Sequence, residues 1–528
     1  MASKELKLIE QHIKANKSFV LNGGAGSGKT RSLVDVINLL YNSNAKYKIA
    51  CITFTNVASD EITSRVASKN INLRSSTIHD FLWDLIKSYQ KNLKQILFKL
   101  IESGAINYSG DQNLTADWYN DKTIEYREWR KLEEGIISHN EVLRLANALF
   151  REFPLLCEIL GDKYDIVLID EYQDTEEQII EIFLDFIQKL ENRPIIGLFG
   201  DSMQSIYNNG VGDLQKYINS GIIEDVQTSD NWRCSKNVIK LMNKVRSDGL
   251  KQGPANNNVK GRATFLFTNS EQVNIEQIKD HKVFHDFDFN IYDENKELYL
   301  THKLIASQFG FENLLNNYTY KDNLTGDNLD RLAKHLFQIQ EIIILYENAN
   351  YNEFLKRTDF KIQKNSDLEK LKEKIDVLKN HSGKTINQMI VLSDELGLVK
   401  KDDKLGNYIT EHKEQFNSIK DLSYQEVVNL FKYRNQHSPY STQHGIKGAE
   451  FDNVFVILDN GKWNQYNFEY LFEERTDKES VVNRSRKVFY VCCSRAKKNL
   501  VVLFQKPSSS VLDKAKEWFG AKNVIEVK

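Results

Sequence analysis

Residues 23–30 read GGAGSGKT, between an apolar run at 18–21 and a helical pattern over 31–40. This is G-x-x-x-x-G-K-T in a strand–loop–helix setting, the spacing of a phosphate-cradling loop. Backbone N–H groups and a helix N-terminus can surround a triphosphate only where no side chain intrudes. Glycine at Gly23, Gly24, Gly26 and Gly28 answers that demand. Lys29 is expected to reach the β- and γ-phosphates of ATP and Thr30 to hold Mg²⁺, with Ala25, Ser27 and Arg31 completing the nucleotide-binding stretch. A chance Gly-rich turn would not carry the whole spacing in this context. A chain with such a loop is expected to fold around a parallel α/β sheet.

The rest of the sequence repeats that rhythm. Apolar, β-rich runs occur at 47–54, 164–169 (YDIVLI), 194–200 (PIIGLFG), 263–267, 297–300, 451–458 and 500–504. Continuous apolar runs suit strands buried on both faces, and their alternation with helical patterns argues for βαβ units. Two stretches break it: 83–163, helical and without a buried-strand run, and 311–436, long, charged and helical. They predict helical insertions into two α/β cores. The expected division is 1–230 for the first core, with an insertion at about 84–160; 231–310 plus 437–528 for the second; and 311–436 for a helical accessory segment.

Composition sets outer limits. For 528 residues the length prior is roughly three to five domains. A charged fraction of 27% and a hydrophobic fraction of 41% describe an ordinary globular chain. The net charge of −2 gives no global signal for nucleic acid, although a local groove can still be basic. The five cysteines (Cys51, Cys157, Cys234, Cys492, Cys493) form no C-x-x-C. The odd count suits a reducing cytosol without a disulfide frame or zinc site. The N-terminus is polar and no apolar stretch approaches ~18 residues. The expectation is a cytoplasmic protein with no membrane partner.

A second chemical motif, DEYQD at 170–174, follows the YDIVLI run directly. Open α/β sheets place ligand chemistry at the carboxyl ends of their strands. Asp170 is expected to hold Mg²⁺ through water, and Glu171 to orient and deprotonate the attacking water. An acidic helix start would also use these residues; the phosphate loop upstream favours the chemical reading.

Further motifs follow in order. TFTNVASDEITSR (53–65) is similar to TFTNxAAxEMxxR, and TIHDF (77–81) to T-x-H-x-F. GDSMQSIY (200–207) resembles GDxxQSIY, and NWRCS (231–235) resembles NYRS. TQHGIKGAEF (442–451) is similar to TxHxxKGLEF, and RKVFYVCCSRA (486–496) to RRLxYVAxTRA. In this order they make the chain resemble a superfamily 1 DNA helicase of the UvrD/Rep/PcrA group. The two helical stretches match poorly.

The resemblance implies two RecA-like cores sandwiching ATP. Gln204 would sense the γ-phosphate, and Arg233 and Arg495 would reach it from the second core as arginine fingers. Trp232 would pack on adenine, Gln11 would read the adenine edge, and Glu450 would lie near the ribose. A single-stranded DNA track would use Phe54, Thr55, Asn56, Thr77, His79, Tyr207, Thr442 and His444, an aromatic such as Phe54 stacking a base without regard to sequence. The family usually follows QSIY with a Trp-Arg-Gly segment whose Trp stacks on DNA; here residues 208–210 read NNG. The chain is also compact for this group and carries no nuclease constellation. In both it resembles the helicase-like subunits of bacterial defence operons of the Gabija type, where the partner is a nuclease-ATPase. Two readings stay open. One is a motor moving on single-stranded or tailed duplex DNA, 3′ to 5′ as the family implies. The other is a DNA-stimulated ATPase switch that controls a partner and unwinds little. A P-loop kinase or GTPase would not need the later motifs together.

Overall fold

The structure is a computed structural model. It describes residues 3–67, 69, 71–108, 110, 114–115, 117–206, 210–255, 258–270, 274–299, 302–326, 329–358, 360, 364–435, 440–442, 445–458 and 465–527. The chain forms two α/β cores, each built on a six-stranded sheet. It divides into two compact units: Met1–Ala263 with Trp463–Asn499 and Asp513–Gly520, and Thr264–Lys462 with Leu500–Leu512 and Ala521–Lys528. Asn231, Trp232 and Gln252 belong to the first unit and are hydrogen-bonded onto the phosphate loop, as described below.

The first unit holds strands β1 (Ser18–Gly23), β2 (Ile49–Thr53), β3 (Leu73–Thr77), β4 (Ile166–Ile169), β5 (Ile195–Gly200) and β6 (Ile223–Thr228). Their order is β3-β2-β4-β5-β1-β6, every pair parallel. The strand period of two explains the continuous apolar runs. Val167 and Ile169 of β4 pack into one buried cluster, while Ile166 and Leu168 face another on the opposite side of the sheet. Registers of Asn22 with Gly200 and of Ile169 with Leu198 align the strands' carboxyl ends. Gly23, Asp170 and Asp201 therefore emerge along one edge.

The helices that matter to the site are α1 (Lys4–Lys14), α2 (Lys29–Ser43), α3 (Asn56–Val66), α4 (Ile78–Ile86), α5 (His139–Glu152), α6 (Lys236–Val245) and α7 (Glu479–Cys493). Thr55 caps α3 by accepting from the Ala58 N–H at 3.2 Å, and Thr77 caps α4 through Asp80. At α5, Glu141 returns a hydrogen bond from the Ser138 N–H at 3.0 Å, a capping box. The stretch between β3 and β4 is mainly helical. It adds one feature the sequence does not announce, a parallel pair of two-residue strands, Glu125–Tyr126 with Ile136–Ile137.

The second unit is built on β7 (Arg262–Thr268), β8 (Asn295–Tyr299), β9 (Tyr440–Thr442), β10 (Phe451–Leu458), β11 (Ala496–Gln505) and β12 (Val524–Glu526), in the order β9-β8-β10-β11-β7-β12. Between β8 and β9 the chain is helical, from His302–Phe309 to Tyr424–Arg434, with no strand among the described residues. Its longest helix, Arg331–Glu347, buries Leu332, Leu336, Ile339 and Ile343, the three- and four-residue spacing of one apolar face. These residues and those of β10 and β11 share one core. All five cysteines are buried and unbridged. Among the described residues no helix is long and apolar enough to cross a membrane.

Candidate nucleotide-hydrolysis site

The phosphate loop runs from the end of β1 into α2, whose first turn has no side-chain cap. Gly28 stands at the helix N-cap with φ 81°, in the left-handed region, where glycine pays no Cβ penalty. Gly26 shares that region at φ 77°, and close approach also constrains the glycines of the loop. A Cβ on Gly24 would lie 2.3 Å from the Gln252 side chain, and one on Gly26 2.8 Å from both Asn231 Oδ1 and Arg233 Cβ. Lys29 is buried and its Nζ donates to the Gly23 carbonyl at 3.0 Å. Ser27 Oγ is buried without a hydrogen-bond partner. A fully buried hydroxyl without a partner is costly, so a loop with an uncapped helix start, an ammonium and such a hydroxyl fits a polyphosphate. Thr30 is half-buried in the first turn of α2, and Arg31 is exposed.

Asp170 and Glu171 close β4. Glu171 has φ 51°, an uncommon conformation for a residue with a side chain. Its N–H donates to Asp170 Oδ1 at 3.0 Å, and its carboxylate accepts from Gln173 Nε2. Burial, with the Glu171 charge adding to it, pushes the Asp170 carboxyl up to about 7, while Lys29 opposes. A buried carboxyl that ionises reluctantly, with a lysine nearby, fits a cation-binding role in which the cation would favour the charged form.

Asn231, Trp232 and Gln252 staple their segment to the loop. Ala25 O accepts from Asn231 Nδ2 at 2.8 Å and from Gln252 Nε2 at 3.1 Å, and the Trp232 N–H donates to Gly26 O at 2.8 Å. Asn231 Oδ1 in turn accepts from the N–H groups of Arg233 and Cys234. Backbone pinning fixes where Trp232 and Arg233 stand; the Trp232 side chain stays 58% exposed, as a shelf for a flat ligand would be.

Gln204 and Arg495 are both buried. Arg495 donates from Nη2 to Gln204 Oε1 at 3.0 Å and from Nε to Val491 O at 3.0 Å. Burial, reinforced by the positive charge of Arg233, lowers the Arg495 guanidinium to about 10. Two cations crowded into a dry site favour an anion between them. Sequence motifs thus bring Lys29, Asp170, Glu171, Gln204, Arg233 and Arg495 into one compact unit.

The remaining expected residues fall elsewhere. Gln11 is exposed on α1. Phe54, 52% exposed, lines a cavity of about 320 Å³ with His79, His139, Asp170 and Asp174. Thr55 and Asn56 open α3, and Thr77 is engaged in its cap. Thr442 and Glu450 lie in the second unit, where Thr442 Oγ1 accepts from the Gly445 N–H at 2.9 Å. Tyr207 and His444 lie outside the described residues.

Several site residues have no role in the sequence reading. Asn231, Asp201 and Tyr490 sit inside motifs, where their chain position marks them but not their contacts. Arg246 and Gln252 lie in RSDGLKQG (246–253), which carries no spacing signal.

The chain is also similar in sequence to known proteins. A family model described as an AAA domain matches residues 7–210. The chain is 26% identical to the Gabija protein GajB of Bacillus cereus strain HuB5-5, over 98% of this chain and 97% of that protein. It is 25% identical to the ATP-dependent DNA helicase Rep of Buchnera aphidicola subsp. Schizaphis graminum, over 44% of this chain and 43% of the relative. It is also 25% identical to DNA helicase II of Haemophilus influenzae, over 42% and 37%.

Proposed function

We propose that this chain, which resembles UvrD-like helicases in its motifs and the Gabija protein GajB over nearly its whole length, is an ATP-dependent DNA helicase or translocase that serves an antiphage defence complex. The observation that carries the reading is the convergence of the phosphate loop, Asp170–Glu171, Gln204 and two buried or half-buried arginines in one unit.

ATP supplies the phosphoanhydride whose hydrolysis drives movement. Lys29 exchanges its bond to the Gly23 carbonyl for phosphate oxygens, and the amides at the start of α2 complete the cradle. Thr30 and Asp170 would hold Mg²⁺, which would neutralise charge on the phosphate oxygens. Glu171 takes the proton of the attacking water, with Gln173 orienting its carboxylate. Arg233 and Arg495 place fixed positive charge where negative charge develops, and Trp232 offers its face to the base. Gln204, held against Arg495, reports the state of the site. Phe54 and His79 open onto the same cavity as Asp170, which gives the DNA track a short physical route to the hydrolytic carboxylates.

A second reading, a DNA-stimulated switch that governs a nuclease-ATPase partner and unwinds little, is favoured by one observation: Asn208, Asn209 and Gly210 stand where the family has its stacking Trp segment. One experiment separates the two. ATP hydrolysis is measured with and without single-stranded DNA, and strand separation is scored on 3′- and 5′-tailed duplexes. DNA-stimulated hydrolysis with separation of the 3′-tailed duplex supports the motor. Stimulated hydrolysis without separation, alone or with the neighbouring gene's product, supports the switch. Hydrolysis indifferent to DNA at low salt rejects both.

A further inference from the structure

Behind the phosphate loop lies a buried charge cluster that the hydrolytic roles above do not use. Asp201 closes β5, Arg246 follows α6 and Tyr490 belongs to α7. All three side chains are shielded from solvent. Tyr490 Oη accepts from the Ala25 N–H at 3.0 Å and from Arg246 Nη1 at 2.6 Å. A backbone amide and a guanidinium can only donate. The phenol's own proton is therefore directed at Asp201 Oδ2, 3.3 Å away. Asp201 further accepts from Arg246 Nη2 at 3.0 Å, the Met203 N–H at 3.2 Å and Gln204 Nε2 at 3.0 Å. The Arg246 charge holds the Asp201 carboxyl below the usual range against its burial.

Two consequences follow for the hydrolytic groups. Gln204 sits between an ionised carboxylate, which only accepts, and Arg495, which only donates. Its carboxamide therefore has one allowed orientation, nitrogen toward Asp201 and oxygen toward Arg495. Ala25 is clamped on both sides, its N–H by Tyr490 and its carbonyl by Asn231 and Gln252. The loop and Gln204 are thus tied to one another through Tyr490 and Asp201. Replacing a buried ion pair by apolar groups is often neutral or stabilising, so fold stability alone is a weak reason for this cluster.

We propose that Tyr490 and Arg246 are positioning residues: through Asp201 they set the distance and orientation of Gln204 and Arg495 relative to the phosphate loop, and turnover depends on that setting more than nucleotide affinity does. The inference rests on the reading of the loop as a nucleotide site. Lys29 and the α2 amides lie beyond Ala25 in the chain and bind without the brace.

The test uses the full chain with saturating single-stranded DNA and the variants Tyr490→Phe, Arg246→Gln and Arg246→Lys. Turnover, KM for ATP, the Kd of a non-hydrolysable ATP analogue and the melting temperature without nucleotide are measured for each. Displacements of order 1 Å cost up to about 100-fold in rate, so Tyr490→Phe is expected to lower kcat by roughly 10- to 100-fold with Kd and KM within about threefold. Arg246→Lys, which keeps the charge and loses the fork, should turn over faster than Arg246→Gln. Either arginine variant supplies the same comparison should Tyr490→Phe not fold. A kcat for Tyr490→Phe within about twofold of wild type overturns the proposal. So does a parallel fall of kcat, analogue affinity and melting temperature in both Tyr490→Phe and Arg246→Lys, the mark of a purely structural cluster. A wild-type protein that neither binds the analogue nor hydrolyses ATP instead rejects the nucleotide reading itself.

Discussion

Arg495 donates to Gln204 Oε1 at 3.0 Å inside a region where both side chains are buried. The guanidinium has thus exchanged water for one carboxamide oxygen, the Val491 carbonyl and the Ser494 hydroxyl, with the charge of Arg233 nearby. The arrangement disfavours the cation until an anion enters. Arg495→Ala should lower ATP turnover by ~10³-fold if it acts as a finger. The same variant should not melt at a lower temperature without nucleotide, and should gain less from an added ATP analogue than the wild type does. A normal nucleotide-induced rise in melting temperature would remove Arg495 from the site.

Glu171 and Lys29 separate chemistry from binding. Lys29→Ala should abolish hydrolysis because the ammonium faces phosphate in ground and transition states alike. Glu171→Gln keeps the bond geometry with Gln173 but cannot take a proton, so turnover should fall ~10²–10⁴-fold while analogue binding persists. Single-turnover assays beside equilibrium binding check both, and near-normal turnover by Glu171→Gln would strip that residue of the base role.

What the sequence made legible follows burial. The strands predicted from apolar runs, such as Ile166–Ile169 and Ile195–Gly200, are covered on both faces. Those it did not announce, Leu73–Thr77, Ile223–Thr228, Tyr440–Thr442 and Val524–Glu526, are the outermost strands of the two sheets. Edge strands expose part of their surface, so LRSST and IEDVQT read as polar segments. At the site, the spacing of GGAGSGKT and the position of DEYQD after a buried run are local patterns, and they single out the candidate loop and its candidate acidic partners. The brace was not legible, because Arg246 reaches Asp201 from 45 positions away in the chain and no local pattern encodes such a contact.

Trp232 is held by its backbone rather than its ring. With its N–H fixed on Gly26 O and the indole largely exposed, Trp232→Ala should leave the loop in place and remove only a stacking surface. Loss of a stacked aromatic is worth ~1–3 kcal/mol for a base, so nucleotide affinity should weaken by roughly 5- to 150-fold. Trp232→Phe should recover much of it, with kcat at saturation little altered. Titration with a fluorescent ATP analogue gives the answer, and unchanged affinity in Trp232→Ala would leave the base without its proposed shelf.

His79 carries a pH signature. Burial, then the neighbouring His139 ring at 4.7 Å, lowers it to about 4, against a smaller opposing effect of Asp80. The folded state therefore resists protonation that the unfolded chain accepts near 6.5. The stability it contributes is present above that value and is lost as pH falls toward about 4. His79→Gln should flatten the fall in melting temperature over this window. Its neutral form at pH 6 to 8 also means that any DNA contact through His79 involves no charge, so DNA affinity should not change with pH there on its account.

Phe54 provides the clearest test of the DNA track. Its ring is half exposed at the mouth of the cavity that also admits Asp170 and Asp174, and the Thr55 cap fixes the chain just beyond it. Stacking is insensitive to salt, whereas phosphate contacts release counterions and lose affinity steeply as ionic strength rises. Phe54→Ala should therefore raise the concentration of single-stranded DNA needed for half-maximal ATPase stimulation, by roughly 5-fold or more for a lost base stack. The slope of log affinity against log salt should stay that of the wild type. A variant that changes the slope while keeping affinity at low salt would place the Phe54 region among backbone contacts; one indistinguishable from wild type at every salt concentration would take Phe54 off the track and leave the strand to bind elsewhere on the protein.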